Sequence, residues 1–249
     1  MNKGDSPRVQ SPAEAIGEDA SSSKRRKSII REYVEVILVI AFVAIVIRMF
    51  VIHAYRIPSG SMEDTLLVGD YLLGNRFVYG APIEIPFTGI VLGRLPAINE
   101  PRRGDIVIFA SWSDTSEDFI KRVVGLPGDT ILVRNGLLTV NGKPFSETLD
   151  ERFGNDPRVF PRIKNEPTRF ALMFGNRADN YGPHVVADDH LFVMGDNRYN
   201  SADSRVNGDV PIDRLKARAM VIYFSIDTAK RISNLGEFIR WDRIGRLIR

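Results

Sequence analysis

The 249-residue chain contains no cysteine. That excludes a thiol nucleophile, a disulfide frame and thiolate metal sites. Histidine is scarce as well. His53, His184 and His190 stand far apart with no HExxH or comparable ligand spacing, so neither a metal hydrolase nor a Ser-His-Asp triad finds support. There is no Gly-x-Ser-x-Gly elbow and no glycine-rich loop running into Lys-Ser or Lys-Thr to cradle phosphate. The net charge is only +3, so the average names no partner. The chemistry must come from hydroxyls, carboxylates and amines, and nothing in the sequence asks for a metal or a cofactor.

Residues 1–32 are rich in Ser, Pro, Ala and charge, without apolar periodicity, and are expected to be a disordered tail. The tail contains Lys24-Arg25-Arg26-Lys27. Alone, such a run reads as a solvated patch or a nucleic-acid contact. Its neighbour decides for a membrane and against nucleic acid. From Val34 to Ile52 only Glu35 and Arg48 interrupt an apolar run. At 1.5 Å per residue that run spans roughly 28 Å, close to a bilayer's hydrocarbon thickness. Residues 33–53 are therefore expected to be one transmembrane anchor. A cleaved leader is excluded because the run starts too far in and no small-x-small site follows. Basic flanks stay cytoplasmic. The lipid bilayer is thus a partner, the N-terminus is expected in the cytoplasm, and residues beyond the anchor across the membrane, which in a bacterium is the periplasmic or outer face of the inner membrane.

The next stretch, 54–231, reads as mainly β. Short runs such as Tyr71–Leu73, Asp105–Phe109, Phe119–Val124, Thr130–Val133, Leu137–Val140, His190–Met194 and Ala219–Phe224 alternate with turn signals. Asn135-Gly136 between two apolar runs is a hairpin signal. An antiparallel, barrel-like sheet is expected, interrupted by an irregular insertion at about 146–187. In 232–249, Leu235, Phe238, Trp241, Ile244 and Leu247–Ile248 recur at helical spacing among arginines. They predict a short amphipathic helix, with packing on the domain and lying on anionic lipid equally open.

Two serines flank a glycine in Tyr55-Arg56-Ile57-Pro58-Ser59-Gly60-Ser61-Met62, directly after the apolar run. A serine hydroxyl needs a neighbouring base to become a nucleophile. Lys121 lies in the apolar strand Phe119–Val124, on one face with Phe119 and Val123. Burial there would lower its pKa and make it a competent base. From the strand alone, a charged edge-strand gatekeeper is the favoured reading.

Four ordered stretches change that weighting. Ile57-Pro-Ser-Gly-Ser-Met62 with Thr65–Asp70, Arg103–Phe109, Lys121–Asp129 and Gly195–Arg205 resemble the motifs of bacterial type I signal peptidases (leader peptidases, peptidase S26), in the family's order. The resemblance covers most of residues 33–224. It implies a membrane-bound serine endopeptidase with Ser61 as nucleophile and Lys121 as general base. Ser59 would complete the oxyanion hole with the Ser61 N–H, and Ser201 would orient the lysine amine. Tyr55, Ile57, Pro58, Met62, Leu66 and Ile120 would line shallow pockets selecting Ala-x-Ala sites. Arg122, Asp196, Arg198, Asp203 and Arg205 would support the site. The partners implied are preprotein signal peptides, with the protein-export machinery nearby.

This chain departs from the family pattern at Asp64, where a proline is common, at Tyr199, where an acidic residue is common, and at Val206-Asn207, where an aromatic pair often stands. Two other readings compete. A self-cleaving Ser-Lys repressor peptidase would be soluble and carry a helix-turn-helix. A non-enzymatic tethered β-domain would need neither Ser61 nor Lys121.

Overall fold

A computed structural model describes residues 31–43, 52–63, 65–80, 82–84, 91–94, 96–113, 117–145, 179–230 and 235–248. The chain divides into two units, Met1–Arg48 and Met49–Arg249. In the first, residues 31–43 are helical, with an Arg31–Glu35 pair one turn apart and apolar side chains exposed throughout. Among the described residues no helix is long and apolar enough to cross a membrane. The tail to residue 30 and residues 44–51 of the expected anchor lie outside the described residues.

The expected end of the anchor at residue 53 is corrected, because Ile52 opens a strand. Hydropathy does not separate the end of an apolar helix from a β-branched strand that follows it. Sheet pairing does: His53 sits opposite Gly74 and Ala54 opposite Leu73.

The second unit begins with β1 (Ile52–Arg56), a 3₁₀ turn (Gly60–Met62) and β2 (Asp70–Asn75). Next come β3 (Pro82–Glu84), β4 (Val91–Arg94), β5 (Ile106–Ala110), β6 (Asp118–Gly125), β7 (Thr130–Arg134), β8 (Leu137–Val140) and β9 (Lys143–Pro144). The series ends with β10 (Tyr181–Val185), β11 (His190–Met194), β12 (Val210–Pro211) and β13 (Leu215–Ser225). The described pairs are antiparallel. The large sheet runs β1-β2-β13-β5-β6-β11-β12, the smaller runs β10-β7-β8-β9, and β3 and β4 form a ribbon.

Each of the short runs named above between residues 71 and 224 lies in a strand, except that Asp105 stands just before β5. β5 is buried along its whole length because both its faces are covered. Ile106 and Ile108 join Ile57, Met62 and Leu66, while Val107 and Phe109 join Val123, Leu191 and Leu215. The hairpins close as their sequences demand, with Asn135 and Gly136 at φ 49° and 76° and Asn141 and Gly142 at φ 53° and 78°.

Two further expectations need correction. The insertion does not extend to 187, because Tyr181–Val185 is a strand at the edge of the smaller sheet, where Pro183 is tolerated. Residues 146–178 lie outside the described residues. The terminal segment is not one amphipathic helix. It forms a single helical turn (Leu235–Phe238), a bridge from Ile239 to Ile226, a 3₁₀ turn (Trp241–Arg243) and a bridge from Leu247 to Val221. Two things override its helical spacing. Gly245 adopts φ 81°, and the segment hydrogen-bonds along the half of β13 that β5 leaves unpaired.

Candidate active site

The turn carrying Ser61 is short and held from outside. Residues 60–62 make one 3₁₀ turn, a weakly hydrogen-bonded element by itself. Ile57 and Met62, buried in the core, fix its ends. Ser59, just before the turn, makes no capping bond with its hydroxyl. Ser61, second in the turn, has an N–H with no acceptor inside the turn.

Lys121 comes from the middle of β6 and is 3% exposed. Its Nζ donates to Ser61 Oγ at 2.8 Å and to the Ile120 carbonyl at 3.0 Å, and lies 5.5 Å from the centre of the Phe119 ring. Burial pushes the lysine down from its ordinary value to about 8, against the opposing pull of the Asp203 and Asp196 carboxylates. About a tenth of the amine is therefore neutral at pH 7.

A groove of about 480 Å³ opens onto this pair. Tyr55, Ile57, Pro58, Met62 and Ile120 line it, with Ser59, Ser61 and Lys121. Leu66 does not. It is fully buried in the core next to Ile57 and Met62. Ile108, Phe119, Arg56, Glu117 and Asp118 complete the lining and were not anticipated. For Ile108 the signal was available in register terms, since it sits opposite Ile120.

Behind the pair lies a charged layer. Arg122 grips Asp196 with Nε and Nη2 at 2.8 and 2.7 Å and reaches the Gly104 carbonyl with Nη1 at 2.7 Å. Asp196 also accepts the Thr65 hydroxyl. Arg205 grips Asp203 in the same two-pronged way and donates to the Arg198 carbonyl. Burial alone would raise the Asp203 pKa, but the Arg205 guanidinium and the Gly195 N–H outweigh it and hold the carboxyl below its usual range.

Arg198 pairs with neither carboxylate. Its Nε and Nη2 are buried without partners, and burial lowers it to about 10. Tyr199, one of the departures from the family pattern, donates its hydroxyl to Asp179, two residues before β10. Burial and that bond push it up to about 12.

Ser201 is close to the pair but does not hydrogen-bond the lysine. Its buried Oγ lies near enough to Asp203 to help hold that charge, yet makes no well-aligned bond. Gly195 sets the spacing, because a Cβ there would collide with the Ser201 side chain and the Ser61 carbonyl. Gly195→Ala is therefore expected to shift Ser61 and cut kcat by about 10²-fold. Circular dichroism should stay native, and parent-like kcat would show that the approach can relax.

Residues 30–224 match the model of the family described as signal peptidase, peptidase S26. A signal peptidase I of Pseudomonas fluorescens is 32% identical over 240 residues, covering 86% of this chain and 79% of that relative. One from Rickettsia typhi is 34% identical over 222 residues, covering 82% and 83%. A solved structure of a signal peptidase I from Enterococcus faecalis V583 is 27% identical and covers 49% of this chain and 98% of that one, with a TM-score of 0.35. The chain is accordingly a hydrolase of the serine endopeptidase class. It belongs to the signal peptidase family, peptidase S26.

Proposed function

We propose that this enzyme removes signal peptides from exported preproteins, cutting after small-x-small sequences with Ser61 as nucleophile and Lys121 as its base. The observation that carries this reading is the 2.8 Å contact between a buried, partly discharged amine and a serine hydroxyl inside an apolar groove.

Neutral Lys121 takes the Ser61 proton as Oγ attacks the carbonyl carbon of the second alanine. The oxyanion is met by the Ser61 N–H and the Ser59 hydroxyl, donors that contribute a few kcal/mol to such transition states. The lysine ammonium then gives its proton to the leaving amine, and the signal peptide remains as an ester on Ser61. Water, deprotonated by the same lysine, hydrolyses that ester. Tyr55, Ile57, Pro58, Met62 and Ile120 line the groove and are the side chains that would select small residues of the substrate. Arg122, Asp196, Asp203 and Arg205 hold the site from behind.

The apolar run within residues 33–51 anchors the enzyme, with the basic cluster and the N-terminus in the cytoplasm and the β-domain on the periplasmic or outer face, beside the protein-export machinery. Met220, Tyr223, Trp241, Ile244 and Leu247 are exposed on β13 and the segment bridged to it, among Arg240 and Arg246. They suit an anionic lipid surface despite the absence of a continuous helix.

The test uses the full chain in detergent with a preprotein bearing an Ala-x-Ala site. One cut after the second alanine is expected, and Ser61→Ala should leave the preprotein intact. Cleavage by Ser61→Ala at the parent rate would refute the assignment.

A further inference from the structure

Two adjacent residues brace both halves of the assigned pair. Asp196 holds the Arg122 guanidinium in a buried two-pronged bond and so fixes β6 beside Lys121. Asn197, the next residue, holds the turn that carries Ser61. Its N–H donates to the Ser61 carbonyl at 3.1 Å. Its side-chain amide donates to the Gly60 carbonyl at 3.1 Å and to Glu63 Oε2 at 3.2 Å. Glu63 folds back over Gly60, with its carboxyl carbon 3.0 Å from where a Cβ would stand. Asn197 therefore grips the turn at its first residue, its second and the one that ends it.

A single 3₁₀ turn has little stiffness of its own. A shift of about 1 Å between nucleophile and base can cost about 10²-fold in rate.

We propose that Asn197, with Glu63 as its acceptor, is a positioning residue that sets the distance between Ser61 Oγ and Lys121 Nζ. It touches no reacting atom. Asp196 places the base, Asn197 places the nucleophile, and the peptide bond between them keeps the two in step. This rests on the Ser61–Lys121 assignment above.

The test measures kcat, KM and the pH profile of kcat/KM on an Ala-x-Ala peptide, with Tm alongside. The variants are Asn197→Ala, Asn197→Asp, Glu63→Ala, Glu63→Gln and the double variant Asn197→Asp/Glu63→Gln. Asn197→Ala should lower kcat by about 10–100-fold, with KM within about twofold and the alkaline rise in its place. Glu63→Gln keeps an acceptor and should behave like the parent, while Glu63→Ala falls between. Asn197→Asp sets a carboxylate against Glu63 and should be worse than Asn197→Ala. Adding Glu63→Gln restores a donor–acceptor pair and should recover part of that loss. A parent-like kcat for Asn197→Ala, or a loss in the double variant no smaller than in Asn197→Asp, would overturn the proposal. If Ser61→Ala also cleaves the peptide, the assignment of the pair fails instead.

Discussion

Lys121→Met should reduce cleavage of an Ala-x-Ala peptide by roughly 10²–10⁴-fold, the usual contribution of a positioned base, without unfolding the protein. Methionine fills a similar volume among Phe119 and Ile120 but cannot accept a proton. Lys121→Arg sharpens the result. It keeps the positive charge that Asp196 and Asp203 face, yet a guanidinium does not deprotonate in this range, so activity should be lost equally. The parent's kcat/KM should rise with pH and level off above about 8, where burial has placed the lysine. Stability should follow the same group. The fold disfavours the charged amine, so its destabilising effect is present below about 8 and is relieved as pH climbs from there toward 10.5, the unfolded value. At pH 7 the Tm of Lys121→Met should be no lower than that of the parent. Either variant cleaving at the parent rate would exclude a lysine base, and so would a flat profile between pH 6 and 9.

Asp196→Ala is expected to have the largest effect on stability. It leaves the Arg122 guanidinium, fully buried, without its counter-charge, and it also deprives the Thr65 hydroxyl of its acceptor. Breaking such a pair from one side typically costs about 3–5 kcal/mol. Urea unfolding should show that loss as a lower midpoint with an unchanged slope. Removing both partners together, as in Arg122→Met/Asp196→Ala, should be much milder than the sum of the single losses, because no lone charge stays behind. Additive losses would mean that the two groups act separately.

The strands and the site differed in how far the sequence disclosed them. β5, β6 and β11 were legible because continuous apolar runs bounded by turn residues have few other solutions. β1 was hidden inside the apolar run before it, and β10 behind Gly182 and Pro183. The terminal segment has the spacing of a helix but gains more by hydrogen-bonding along β13. Pairing partners distant in the chain decide such cases, and local periodicity contains no trace of them.

Within the site, Ser61 and Lys121 were each readable as residue types with a chemical use, but only the motif order joined them. Leu66 was misplaced because an apolar residue near a serine can as well sit under a groove as in its wall. Asn197 and Glu63 received no role because hydrogen bonds between loops leave no pattern in composition. The proline position filled by Asp64 had drawn attention to this turn, yet its neighbour Glu63 makes the contact.

Arg243 has a consequence for how the molecule is made. It is buried, grips Asp70 with both prongs of its guanidinium at 3.0 and 2.6 Å, and donates to the Thr65 carbonyl at 2.9 Å. Thr65 lies 178 positions earlier in the chain, on the loop that leads away from the nucleophile turn. Synthesis is vectorial, so that loop lacks its buttress until the residues around Arg243 have been translated. Of the other groups that bond the Asp70 carboxylate, the Leu67 N–H is local, while the Ser225 hydroxyl, 155 positions later, also arrives late. Maturation of the nucleophile's surroundings is thereby tied to one of the last steps of chain production.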